Sequence, residues 1–141
     1  MFIYPLGEPN ALEIEQQGYG YIVASVGELG GVVPYTSYSA KTSFIDENKE
    51  LISNFTKAIQ KGLDYVHTHT DREVAEAILN QFPDTSLNDL EEAIERYRKI
   101  EAWPTSTNFS NKSFEHLQDI MIDYGALNKK VPYSKLIYNE K

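Results

Sequence analysis

The sequence predicts an α/β protein in which a few short strands are followed by about four helices. From residue 2 to about residue 43, Gly, Pro, Tyr, Val and Ser dominate, and short apolar runs alternate with turn residues, which is typical of strands and loops. From Asp46 onward, apolar residues recur every three or four positions, which is the period of amphipathic helices. With 141 residues, the chain has the length of one ordinary domain.

Three segments of the first part have the composition of strands. Residues 21–26 form the strongest candidate, since nearly continuous apolarity is typical of a strand that is covered on both faces of a sheet. Residues 2–4 form a shorter candidate, and residues 35–40 alternate aromatic with small side chains. A short helix is predicted between the first two strands, because Pro9 suits a first helical position and Gly18 stands where a helix ends.

Four helices are predicted in the second part. The first should run from about residue 51 to about residue 67, because its apolar residues form one broad face. The second opens with Thr70 and Glu73, which have the spacing of a capping box, and Ser86 is the expected N-terminal cap of the third. The fourth should end before Gly125, since glycine commonly terminates helices.

Composition and charge exclude several classes of function. The chain carries 13 Lys and Arg against 21 Asp and Glu, a net charge of −8 without any basic cluster, which argues against a nucleic-acid partner. The absence of cysteine excludes disulfides, thiolate metal sites and a cysteine nucleophile. No apolar run approaches the ~18 residues of a membrane span, and the first residues lack the pattern of a signal peptide.

No pattern in the sequence points to catalysis or to a bound metal. No serine lies in a nucleophile motif together with a base whose position can be argued. His67 and His69 are two positions apart, so on a helix they point about 200° away from each other and cannot share a metal. The sequence therefore predicts a protein that is not an enzyme and that carries no cofactor and no metal.

Five residues are candidates for lining a ligand cleft. Glu8 and Asn10 lie at a helix N-terminus just beyond a predicted strand end, where α/β proteins bind ligands. Tyr35 and Thr36 follow the glycine-rich bend, and Trp103 is the only tryptophan and lies in a proline-containing break between helices. The alternative is that Glu8 and Asn10 only cap the helix.

The number of predicted strands is too small for a closed sheet. Two or three strands cannot pair all of their backbone N–H and C=O groups with one another, and a covered sheet needs further strands at its edges. We therefore expect part of the sheet to be supplied from elsewhere. One arrangement is a homo-oligomer in which copies of the chain exchange strands, with residues 32–40 as the hinge.

The order of several motifs resembles the C-terminal part of a known protein family, the solute-binding proteins of ABC importers. Within this family, the chain resembles the branch whose ligands are nitrate, sulfonates, taurine and pyrimidine precursors of thiamine. The resemblance extends over essentially the whole chain and is carried by Gly7-Glu8-Pro9-Asn10, Val33-Pro34-Tyr35-Thr36-Ser37-Tyr38, Arg96-Tyr97, Trp103-Pro104, the segment 114–121 and Val131-Pro132-Tyr133.

This resemblance implies a two-lobed fold of the type II periplasmic binding proteins, which closes by a hinge motion over a small molecule. Residues 1–31 would finish the second lobe as strand, helix and strand, residues 32–42 would cross between the lobes, and residues 43–141 would form the helical C-terminal part of the first lobe. It also implies an extracytoplasmic location. The implied partners are a small-molecule ligand, the N-terminal half of the binding protein and an ABC permease.

Two alternatives remain beside this interpretation. Pyrimidine-synthesising enzymes share the fold, so the chain could be part of such an enzyme. It could also be a fragment that self-associates and binds no ligand.

Overall fold

The computed structural model describes residues 3–34 and 36–138, which contain α-helices and no strand. None of the helices in this described part is both long enough and apolar enough to cross a membrane. A single 3-10 turn, Leu79–Gln81, follows α5. The α-helices are α1 (Asn10–Gln16), α2 (Val26–Gly30), α3 (Thr42–Glu47), α4 (Lys49–Thr68), α5 (Asp71–Ile78), α6 (Leu87–Lys99), α7 (Asn111–Asp123) and α8 (Tyr133–Leu136).

The predicted α/β class is wrong, because none of the predicted strands forms in the described residues. Residues 3–4 and 36–40 are irregular, and residues 21–25 are irregular up to the start of α2 at Val26. Phe2 and Tyr35, which were also predicted to lie in strands, are outside the described residues. Strand propensity acts only where neighbouring strands are available, and the described residues offer no second strand as a partner.

Ser25 explains why a helix replaces the end of the strongest predicted strand. Its hydroxyl oxygen accepts the backbone N–H of Glu28 at 3.2 Å, and its carbonyl oxygen accepts the N–H of Leu29 at 3.1 Å. Serine followed three residues later by glutamate is a common start of a helix. The apolar run in front of Ser25 concealed this signal.

The helices predicted from caps and periodicity are confirmed. Thr70 and Glu73 form a reciprocal capping box at α5, and the Ser86 side chain accepts a backbone N–H of the first turn of α6. Gly18 and Gly125 follow α1 and α7 with φ of +73° and +81°. Glycine adopts this left-handed conformation without strain, which explains why the helices end there.

The described chain forms two compact units, each assembled from two separate stretches of sequence. The first contains the residues up to Leu29 and Gly62–Thr105, and the second contains Gly30–Lys61 and the residues from Ser106 onward. The predicted division at residues 31 and 42 stays a prediction. The first unit has its core where α5 packs against α6. That core consists of Val74, Ala75, Leu90 and Ile94, surrounded by Val66, Ile78, Leu79, Leu87 and Trp103.

Arg98 of α6 joins the end of α4 to the start of α5 in the first unit. Its guanidinium donates to the carbonyl oxygens of Val66 and His69, at 2.7 and 3.2 Å, and to the carboxylate of Asp71 at 2.6 Å. The last carbonyl groups of a helix have no partner within the helix. Arg98 therefore donates to Val66 in the last turn of α4 and to His69 directly after the helix.

In the second unit, the segment after α7 folds back onto that helix. The ring of Phe114 is buried and meets the rings of Phe109 and Tyr133 edge-on, with centroids 6.1 and 5.9 Å apart. The backbone N–H of Val131 donates to the side-chain oxygen of buried Gln118 at 2.6 Å. Aromatic packing and this hydrogen bond together hold the segment in place.

Candidate functional site

Glu8 is fixed at the N-terminus of α1 by hydrogen bonds of both its side-chain carboxylate and its backbone N–H. Its carboxylate accepts the backbone N–H of Leu12 at 3.0 Å and a guanidinium N–H of Arg96 at 3.0 Å. Its own backbone N–H donates to the hydroxyl oxygen of Tyr97 at 3.0 Å. The Glu8 side chain is only 11% exposed. It therefore caps the first turn of α1, as the capping alternative predicts, and is also held by α6.

Arg96 gathers three carboxylates around one guanidinium. Besides Glu8 it binds Glu15 of α1 at 3.1 Å and Glu92, one turn earlier in α6, at 2.8 Å. Partial burial opposes the charge of Arg96, but the hydrogen bonds to Glu8, Glu92 and Glu15 outweigh this effect and raise the pKa of the guanidinium. This cluster fixes α1 to α6.

Trp103 lies in the same unit as Glu8. Its ring meets the ring of Tyr97 edge-on, with centroids 5.6 Å apart, and it packs against the core between α5 and α6. Because the Tyr97 hydroxyl also binds Glu8, a continuous chain of contacts runs from Trp103 through Tyr97 to Glu8. Asn10, the first residue of α1, is exposed beside this cluster.

The remaining two candidate residues are placed differently. Thr36 is an exposed residue of the second unit, and Tyr35 lies outside the described residues. The structure thus brings Glu8, Asn10 and Trp103 into one unit. That all five residues share one cleft stays a prediction.

Arg96 and Tyr97 are the residues of this site that sequence reasoning missed as functional. The i to i+4 spacing of Glu92 and Arg96 is typical of an ion pair on the solvated face of a helix and does not by itself indicate a functional residue. Its partners Glu8 and Glu15 lie 88 and 81 positions away in the sequence. No local pattern reports contacts over such distances, and only the motif Arg96-Tyr97 in the family resemblance singled out this position.

The histidines near the end of α4 are engaged in other contacts. His67 has its Nε2 atom 3.1 Å from the carbonyl oxygen of Pro104, and the His69 ring stacks on Tyr65 with centroids 3.7 Å apart. Across residues 3–34 and 36–138, no three His, Asp or Glu side chains are grouped so that they could hold a metal ion.

Glu15 gives the attachment of α1 a defined pH dependence. A hydrogen bond from the backbone N–H of Ile22 and a second from Arg96 lower the pKa of the Glu15 carboxyl. Its contribution to stability is therefore present above the pKa of the unfolded chain and is lost as the pH falls through the lower pKa of the folded chain. We expect α1 to loosen from α6 only at pH values below the ordinary pKa of a glutamate carboxyl.

The Ile22 amide should report this titration in NMR spectra, accompanied by faster hydrogen exchange at Leu12. In Glu15→Gln the carboxyl inflection of the Ile22 amide should disappear. If the inflection persisted unchanged in that variant, another group would be responsible and the assignment to Glu15 would be wrong.

Comparison with known proteins tests the family resemblance that the order of motifs predicts. The profile described as NMT1/THI5 like matches residues 5–73, which include Glu8, Asn10 and Thr36. This part of the chain is therefore similar to the NMT1/THI5-like family. The resemblance to the solute-binding proteins of ABC importers, predicted from the order of motifs, is thereby confirmed.

One known protein matches nearly the whole chain. It is a protein of Bacillus subtilis (strain 168) with the name "Putative binding protein YtlA", which is 40% identical over 135 residues, or 96% of the chain. The chain spans only 40% of the length of that relative. No solved structure matches the chain significantly.

Proposed function

We propose that this chain is the C-terminal part of the substrate-binding component of an ABC importer and that it acts by binding, without catalysis. The observation that carries this proposal is the 40% identity, over 96% of the chain, to a relative whose name describes a binding protein. The NMT1/THI5-like profile supports the same role. Pyrimidine synthesis on the same fold is the alternative.

The ligand is a small molecule such as a sulfonate, nitrate, taurine or a pyrimidine precursor of thiamine. We propose Glu8, Asn10, Tyr35, Thr36 and Trp103 as the residues of this chain that line the cleft. Support comes from the first unit, where Arg96 and Tyr97 hold Glu8 in a fixed orientation next to exposed Asn10. A cleft needs two walls, so the N-terminal half of a binding protein is required to complete it.

The proposed setting is extracytoplasmic, with the loaded binding protein delivering its ligand to an ABC permease. The similarity of residues 5–73 to the NMT1/THI5-like family supports this location and this partner. Self-association by strand exchange, with residues 32–40 as the hinge, stays a prediction that light scattering of the chain at micromolar concentration would test.

A chimera provides the test of the binding function. In it, the chain replaces the matching 40% of the Bacillus subtilis relative, so that the rest of a binding protein is present. We expect calorimetric titration with taurine, nitrate or 4-amino-5-hydroxymethyl-2-methylpyrimidine to give saturable binding with one ligand per chimera.

The variant Asn10→Ala should weaken this binding about tenfold, the effect of one lost hydrogen bond. Gln17→Ala, which changes another exposed amide at the opposite end of α1, should leave the affinity unchanged. Conversion of the pyrimidine at a rate abolished by one substitution in this chain, or equal affinities of the two variants, would contradict the proposal.

A further inference from the structure

Glu101, the second residue after α6, has a backbone conformation that favours glycine. Its φ is +52°, and among the residues that the structure describes it is the only one other than glycine with a positive φ. Gly18 and Gly125 are likewise the second residues after α1 and α7, and they adopt a positive φ without strain. With a Cβ atom, Glu101 is strained where the chain elsewhere uses glycine.

The three helix ends share one pattern of hydrogen bonds, so they can be compared directly. After α6, the N–H of Glu101 donates to the carbonyl oxygen of Arg98 at 3.1 Å, and that of Ala102 donates to the carbonyl oxygen of Tyr97 at 3.0 Å. The ends of α1 and α7 form the same two bonds with Gly18 and Gly125 at the central position. This is the Schellman motif, in which the central residue is usually glycine.

The charge of Glu101 is a second unfavourable feature at this position. The C-terminal end of a helix carries partial negative charge, so an anion there is repelled. The last turns of α6 do contain cations, but each of them pairs with other carboxylates: Arg96 with Glu8, Glu15 and Glu92, Arg98 with Asp71, and Lys99 with Glu95. Within residues 3–34 and 36–138, the exposed carboxylate of Glu101 forms no ion pair.

The neighbours of Glu101 hold its backbone in the strained conformation. Trp103 packs against the core of the first unit. The Cδ1 atom of Ile100 lies so close to the backbone of Gly27 in α2 that a Cβ atom on that glycine would be only 2.9 Å away. A strained residue persists where the surrounding structure fixes it, and such residues cluster at binding sites. Glu101 therefore carries its free carboxylate on a fixed backbone, two positions before Trp103.

We propose that Glu101 is a further ligand-binding residue and that its carboxylate pairs with an ammonium group of the ligand. The inference rests on the proposed function, in which Trp103 lines the cleft. A residue that lowers stability through both its backbone and its charge, without an ion-pair partner among the described residues, is explained by a cation from outside the chain.

An ammonium group fits this position better than a metal ion. The face of a tryptophan ring attracts ammonium groups, and Trp103 is the aromatic residue closest in sequence to Glu101. A metal ion would need several ligands, and the described residues contain no group of three His, Asp or Glu side chains that could hold one. Of the proposed ligands, taurine carries an ammonium group and nitrate does not.

The chimera with the Bacillus subtilis relative allows a direct test with two matched compounds. Taurine and ethanesulfonate have the same length and the same sulfonate, but only taurine carries the ammonium group. We expect the chimera to bind taurine at least about tenfold more tightly in calorimetric titration, the effect of one hydrogen bond between charged groups.

Glu101→Gln removes the charge and keeps the size of the side chain. In the chimera it should weaken taurine binding at least about tenfold and reduce the preference over ethanesulfonate to within about threefold. Glu28→Gln is the matched control, since Glu28 is another exposed glutamate of the first unit. It should leave both affinities unchanged.

Glu101→Gly separates the cost of this residue from its use. In the full chain it should raise the melting temperature, measured by circular dichroism, by about 3 °C, because glycine relieves the strain. Glu101→Gln keeps the strain and should raise it by no more than about 1 °C. In the chimera, Glu101→Gly should weaken taurine binding as much as Glu101→Gln does.

Several results would overturn the role of Glu101. One is equal affinity of the wild-type chimera for taurine and ethanesulfonate. Another is unchanged taurine binding in Glu101→Gln, which would point to a basic side chain of a partner protein as the cation. A third is the absence of stabilisation in Glu101→Gly, which would show that the position is not strained. A chimera that binds nitrate or the pyrimidine but not taurine would overturn only this inference, whereas a chimera that binds none of these compounds would overturn the proposed function as well.

Discussion

Leu90→Ala should lower the free energy of unfolding of the first unit by about 3 kcal/mol, the usual cost of deleting a large side chain from a packed core. Leu90 is 3% exposed and belongs to the cluster in which α5 packs against α6. Shortening the side chain removes contacts on both helices and leaves a cavity that neighbouring residues fill only in part. Urea denaturation followed by the fluorescence of Trp103, which packs against this cluster, measures the effect.

Leu29→Ala is the matched control, since Leu29 is 79% exposed in the same unit. It should change the free energy of unfolding by no more than about 0.5 kcal/mol. Equal losses in the two variants would show that the core of the first unit is not where the structure places it.

Arg98→Met should lower the free energy of unfolding by about 1–2 kcal/mol, because hydrogen bonds from a charged group are lost and partly buried acceptors remain without their donor. The substitution keeps the apolar stem of the side chain and removes only the guanidinium. The carbonyl oxygens of Val66 and His69 and the carboxylate of Asp71 then lose their common partner. Hydrogen exchange in the last turn of α4 should become faster.

Arg72→Met provides the comparison for Arg98→Met. Arg72 forms ion pairs with Glu76 and Glu91, but these side chains are exposed and the pairs are screened by solvent. We expect no measurable change in the urea midpoint. A loss in Arg72→Met as large as in Arg98→Met would mean that general charge balance, and not the end of α4, determines the effect.

The helices of this protein could be predicted because their signals are local. The Thr70–Glu73 capping box and the Ser86 cap lie within one turn of the helices that they start, so four residues of sequence contain the information. Gly18 and Gly125 mark helix ends for an equally local reason, since only the backbone of a single residue is involved.

The strands could not be predicted in the same way, because a strand depends on partners that are distant in sequence or lie in another part of the protein. Residues 21–25 have the composition of a buried strand, yet they are irregular where no described neighbour pairs with them. This composition is typical of a strand that pairs with neighbouring strands, and the described residues contain no such neighbours. The same reasoning failed to see α2, whose cap at Ser25 lies directly behind the apolar run.

The candidate site was predictable in part. The position of Glu8 at the start of a helix followed from Pro9 and the residues around it, and α1 does begin at Asn10, directly after Pro9. The hydrogen bonds that join Glu8 to Arg96 and Tyr97 could not be predicted, because they depend on how α1 packs against α6. Contacts between residues that are so far apart in the sequence arise only when the chain folds, so local sequence patterns do not predict them.

The division of each unit into two separate stretches of sequence has a consequence for biosynthesis. The ribosome produces the N-terminal stretch of the first unit long before Gly62–Thr105, which contains the helix that holds α1. The second unit is likewise finished only after Ser106 and the residues behind it have emerged. Neither unit can complete its fold before its second stretch has left the ribosome, so the first stretch of each unit lacks its packing partners while the residues in between are synthesised.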